Sequence, residues 1–73
     1  MNQLLHVKYT LPDNAETKDL TKPLRDKVLH NYNVNVNFVG NNRDSVTLLA
    51  LGNDAHANVA SARGLLDDHF AQS

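Results

Sequence analysis

The chain has 73 residues, with seven Lys and Arg against eight Asp and Glu for a net charge of -1, four His and no Cys. The missing cysteine excludes disulfides, thiol chemistry and Cys-bearing zinc sites, and the charge balance excludes a generally basic nucleic-acid binder. No apolar run approaches the roughly 20 residues of a membrane-spanning helix, and the amino terminus shows no basic segment followed by an apolar one, so a cytoplasmic location is expected.

The first strand is expected over residues 4–11, where Leu5, Val7, Tyr9 and Leu11 alternate with His6, Lys8 and Thr10. Pro12, Asp13 and Asn14 stop it, because proline has no N–H for a ladder and Asp and Asn favour turns. Leu20, Leu24, Val28 and Tyr32 then recur every four residues, widened by Leu29, with Arg25, Asp26 and Lys27 turned outward. Pro23 belongs in a first helical turn rather than an interior, so the helix is expected over 21–32, preceded by a separate turn or kinked extension at 15–20.

Asn33 ends that helix, and Val34, Val36 and Phe38 alternate with Asn35 and Asn37 in a second strand expected over 34–39. Gly40 to Asp44 has the length of a hairpin loop. The third strand, 45–51, is apolar on both faces, with Val46, Leu48 and Ala50 on one and Leu49 and Leu51 on the other, as suits a central strand. Asp54 is a suitable N-cap for a last helix over 54–70, whose Ala55, Val59, Ala62, Leu66 and Phe70 share a face.

No repeat, low-complexity tract or linker divides the chain, so residues 1–73 are read as a single α/β domain. The expected class is α+β: a two-layer β-α-β-β-α sandwich with a three-stranded mixed sheet in the order 1-3-2 and two helices on one face, a truncated ferredoxin-like layout. Val7, Leu24, Val28, Val36, Phe38, Leu48, Val59 and Leu66 are the expected core.

Chemistry is sparsely written. The histidines, His6, His30, His56 and His69, do not stand three or four apart on a shared helix face, so no metal site is expected. Asp67 and Asp68 are adjacent on a helix and point about 100° apart, which does not suit a pair of carboxylates working on one bond. Ser45 and Ser61 lack a glycine-flanked elbow, and none of the three glycines forms a phosphate-cradling loop. Neither catalysis nor a cofactor is therefore expected.

His6, Lys8, Asn35, Asn37 and Arg43 gather on the open sheet face and its hairpin, yet Tyr9 and Phe38 alternate to the other side, so the stacking platform of sheet-type RNA binders is missing and nucleic acid is disfavoured. Ala57, Ala60, Ser61 and Gly64 make the outer face of the last helix small rather than charged, which suits close approach by another protein. The apolar Leu49 and Leu51 and the uncovered edge of the first strand suggest a homodimer.

Leu11 and Pro12 after the first strand, the Leu20, Leu24, Val28 and Tyr32 stripe, Val34 and Val36, and above all the terminal Asp67, Asp68, His69 and Phe70 carry a resemblance over most of the chain. In these the chain resembles the DNA-damage-inducible protein I family, small bacterial and phage proteins of β-α-β-β-α fold that modulate the RecA recombinase filament. The corresponding family end looks like Ala-Asp-Asp-Trp-Phe on an acidic helix that contacts RecA; His69 stands where the family has tryptophan, and the last helix here is shorter and without the run of glutamates. The resemblance implies a non-catalytic regulator or inhibitor that binds a protein, with Asp67, Asp68 and Phe70 as contacts beside Ser61 and Gly64. Residues 33–54, including Leu51 to Asp54, also resemble a family of small bacterial ferredoxin-like proteins of unknown function.

Overall fold

A computed structural model describes residues 4–40 and 42–71. Strand β1 (Leu4–Thr10) leads through a 3₁₀ turn (Thr17–Asp19) to helix α1 (Lys22–Tyr32), then to β2 (Asn35–Asn37), β3 (Ser45–Leu51) and helix α2 (Ala55–Ala71). The sheet order is β1-β3-β2, as the two-sided apolar pattern of β3 predicts. The architecture is α+β, with α1 and α2 packed together over the face that carries Val46, Leu48 and Ala50.

Both ladders are antiparallel, which corrects the expected mixed sheet. β1 and β2 do run in the same direction, but β3 lies between them, so no parallel pair forms.

Helix α1 starts where its proline allows. Pro23 sits in the first turn, where its missing N–H forfeits no helical bond, and the Thr21 carbonyl accepts the Arg25 N–H at 2.9 Å. Asn33 stops the helix in the left-handed conformation at φ 56°, its N–H bonded to the Leu29 carbonyl at 2.8 Å. Ahead of the helix, the 3₁₀ turn is closed by the Asp19 carboxylate, which accepts the Glu16 N–H at 2.9 Å. The backbone carbonyl of Asp54 opens α2 by accepting from Asn58 at 2.8 Å.

Strand β2 is shorter than its alternation suggests. Val34 is buried ahead of the ladder, and the chain leaves β3 after Asn37. A turn takes over, with Gly40 at φ 58° and the Asn42 N–H bonded to the Val39 carbonyl at 3.3 Å. The carbonyls of Arg43 and Asp44 are taken by the N–H groups of Thr17 and Leu11, at 2.7 and 2.8 Å, so this end of the hairpin is tied to the segment after β1. Asn41, within the expected 40–44 connection, lies outside the described residues.

The core follows the helical and strand periods closely. Leu24, Val28, Leu48, Val59 and Leu66 are buried, while Val7 and Val36 are partly buried at its margin. Phe38 is the exception and is 43% exposed. It stands past the end of the ladder, and its ring is covered only in part by the Arg25 guanidinium, 5.3 Å from the ring centroid. Such a contact contributes roughly 0.5–1 kcal/mol when exposed, less than burial of a phenylalanine would.

Candidate functional site

Helix α2 presents three faces, and each does something different. Ala55, Val59, Ala62, Leu66 and Phe70 are spaced to face the sheet, and all are buried. One side of that stripe meets β1, and the other looks across to α1.

The two adjacent carboxylates separate onto those two sides, as the 100° step of a helix requires. Asp67 turns toward β1, where its Oδ1 accepts a 2.7 Å hydrogen bond from the Tyr9 hydroxyl. Tyr9 is buried, and its phenol is held well above its ordinary range, first by burial and then by the hydrogen bond to Asp67 and the nearby carboxylate charge, with Arg63 opposing. This bond joins residues 58 apart in the chain and pins the carboxyl-terminal half of α2 to the sheet. Asp67 is therefore exposed but engaged.

Asp68 turns the other way. With Ser61 and Gly64 it lines an open groove of about 500 Å³ between the helices, whose opposite wall carries Lys27 and Tyr32 and whose apolar lining comes from Leu24 and Leu65. Ser61, Gly64 and Asp68 lie at intervals of three and four residues, which puts them in one row along α2. A methyl group added at Gly64 would meet nothing within 4 Å beyond its own stretch of helix, so the row borders open space. Lys27 and Asp68 carry opposite charges on opposite walls, and among the described residues neither side chain takes part in a hydrogen bond or ion pair.

Phe70 differs from the reading its resemblance implies. It is 7% exposed, and the surface it keeps lines a separate cavity of about 350 Å³ beside Ala15 and Thr21 rather than the groove. A side chain so buried packs the end of α2 against the core and has little left to offer a partner. His69, which follows Asp68, is exposed and meets the Phe70 ring edge-on at 5.2 Å.

Lys27 and Tyr32 join the site without having been singled out from sequence. Their signal was positional: Tyr32 ends the apolar stripe of α1 with a polar tip, and Lys27 flanks that stripe, so a neighbouring helix beside α1 leaves both on a shared wall.

The remaining candidates fall elsewhere. His6, Lys8, Asn35 and Asn37 share the open sheet face, where Leu49 separates His6 from Asn35 and Thr47 separates Lys8 from Asn37. Arg43 is in the β2–β3 connection. Among the described residues no group of three or more His, Asp or Glu side chains stands together to hold a metal ion, and no helix is long and apolar enough to cross a membrane. No family model, curated protein or solved structure matches the chain.

Proposed function

We propose that this protein is a small non-catalytic regulator or inhibitor that binds another protein through the groove between α1 and α2. The observation that carries the reading is the row of Ser61, Gly64 and Asp68 on an open wall, with the Asp68 carboxylate unengaged among the described residues. Small side chains let a second backbone or helix come close. A carboxylate near the negative end of a helix dipole is set in a field that favours cations, so the partner surface that suits it is basic. Lys27 on the facing wall makes the groove bipolar and gives the partner a preferred direction.

The specific partner we propose is the RecA filament. Its support is the resemblance of Asp67, Asp68, His69 and Phe70 to the RecA-contacting end of the DNA-damage-inducible protein I family, together with the β-α-β-β-α order, which we read as a truncated ferredoxin-like layout. Asp68 is then the contact residue of the pair, and Asp67 acts mainly by holding α2 in place. The reading puts the protein in the cytoplasm.

The test is titration of wild type, Asp68→Asn and Ser61→Arg against RecA filaments at two salt concentrations. Both variants alter exposed side chains and keep the fold. Binding weakened by Asp68→Asn at low salt, less so at high salt, and abolished by the bulk of Ser61→Arg is the expected result. Absence of binding by wild type removes RecA as the partner; equal affinity of all three removes the groove.

A further inference from the structure

The two edges of the sheet are unlike. β2 is three residues long and exposes Asn35 and Asn37, and so short an edge gives another strand little to pair with. β1 runs seven residues in unbroken register with β3, and among the described residues nothing pairs with its outer side. Natural edge strands are ordinarily guarded by charges, proline, bulges or extreme shortness. From Leu4 to Val7 this edge has none of them, and Lys8 is the only charged side chain on the strand.

Apolar side chains along the same edge are left partly open on both faces. On the helix side Leu5 and Val7 are only half-buried, whereas their partners on β3, Ala50 and Leu48, are covered. On the open side Leu4 is 49% exposed and stands opposite Leu51, which is 54% exposed. The helices do not reach far enough over β1 to finish its burial.

We infer that a second copy of this chain pairs antiparallel with β1 across a two-fold axis at His6, joining two three-stranded sheets into one of six strands. In an antiparallel pair, facing residues must lie on the same side of the sheet, so the sum of their numbers is even. Of the two-fold axes open to the strand, one at Lys8 sets the two Lys8 side chains face to face and one at Tyr9 leaves Leu5 outside the pair, so the choice lies between Leu5, His6 and Val7. With the axis at Leu5, the open apolar side chain of Val7 would face position 3, a polar glutamine in the sequence. With the axis at Val7, His6 faces the partner's Lys8, and Leu5 faces a Tyr9 that is already buried.

With the axis at His6, Leu5 meets the partner's Val7 and Val7 meets the partner's Leu5, so the half-open side chains of the helix side close on one another. Lys8 then lies across the partner's Leu4, where its aliphatic stem covers apolar surface while its ammonium stays in water. The two Lys8 side chains end up about 13 Å apart along the strands, beyond the roughly 8–10 Å over which exposed charges act at ordinary salt. This register alone buries the open apolar groups without opposing like charges at Lys8.

The facing stretch, Leu4 to Lys8, is about 17 Å long at about 3.4 Å per residue. The pair leaves the α1–α2 groove free.

Position 6 is exposed and sits on the axis, so one substitution there acts twice. The experiment compares wild type, His6→Asp, His6→Lys and an equimolar mixture of the two variants by sedimentation equilibrium up to 500 µM, with circular dichroism confirming equal folding. The expected result is a dimer for wild type, monomers for each variant alone, and a dimer restored in the mixture, where Asp meets Lys across the axis. Wild type that stays monomeric throughout, variants that dimerise as well as wild type, or a mixture that stays monomeric would each overturn the inference.

Discussion

Along β3, Val46, Leu48 and Ala50 turn toward the helices and are almost wholly buried, while Leu49 and Leu51 on the alternate positions are partly and largely open. A single strand thus belongs to two regions of different character. The covered face holds the domain together, because it is where both helices, β1 and the start of β2 converge. The open face and the groove on the helix layer add little to that packing, which frees their side chains to meet something else. The division is sharp because, among the described residues, the buried apolar side chains form one cluster.

The largest expected effect tests the covered region. Leu66→Ala removes a fully buried side chain and should cost about 2–5 kcal/mol in urea denaturation, enough to threaten folding in so small a domain. Leu51→Ala, on the open face, should stay within about 0.5 kcal/mol. Equal losses at the two positions would erase the distinction.

A smaller effect tests the tie between the sheet and the carboxyl-terminal half of α2. Tyr9→Phe keeps the ring and removes the hydrogen bond to Asp67, and because Asp67 remains open to water the cost should be about 1 kcal/mol. The same bond predicts a pH dependence. The Tyr9 phenol is held above its ordinary value in the folded state, so its contribution is fully present below pH 10 and is lost as pH rises beyond it. Denaturation followed from pH 8 to pH 11 should show wild type losing stability at the alkaline end faster than Tyr9→Phe.

Smaller still is a gain. Gly64→Ala places a methyl group in open space within a helix and should stabilise the fold by roughly 0.5–1 kcal/mol, a shift measurable as a raised Tm. A destabilised Gly64→Ala would mean that the glycine serves the fold rather than the groove. Asp26 gives the least: its carboxyl is held below its ordinary value by the 2.8 Å bond from Lys22, a contribution present near neutral pH and lost as pH falls through the acid range. The pair is exposed and its lysine precedes its aspartate, the poorer order for a helix dipole, so Asp26→Ala should barely move the denaturation midpoint at pH 7.

Much of the covered region was legible in the sequence because burial imposes a period. The four-residue recurrence from Leu24 to Tyr32 and the stripe from Ala55 to Phe70 have no cheaper arrangement than helices on a sheet. Strand β2 was less legible because its end is set by distant backbone groups, the Leu11 and Thr17 N–H bonds to Asp44 and Arg43, which no alternation records. That early departure is also why Phe38 stands in solvent.

For the site, the 100° step between Asp67 and Asp68 was readable, but their destinations were not. The Tyr9 hydroxyl joins Asp67 across 58 residues of chain, and the only advance sign was that a tyrosine on a core-facing strand position needs a partner for its hydroxyl. Lys27 and Tyr32 enter the groove through the packing of α1 on α2, a relation between two elements that neither helix's own pattern contains.

The most direct test of the proposed function is a nitrogen-15 NMR titration of the wild-type protein with RecA filaments formed on single-stranded DNA. Signals from Lys27, Ser61, Gly64 and Asp68 should shift or broaden first, with those of Lys8, Thr47 and Leu51 on the open sheet face unaffected at the same stage. Perturbation centred on the open face, or a spectrum unchanged at saturating filament, would contradict the assignment of the α1–α2 groove as the surface that binds it.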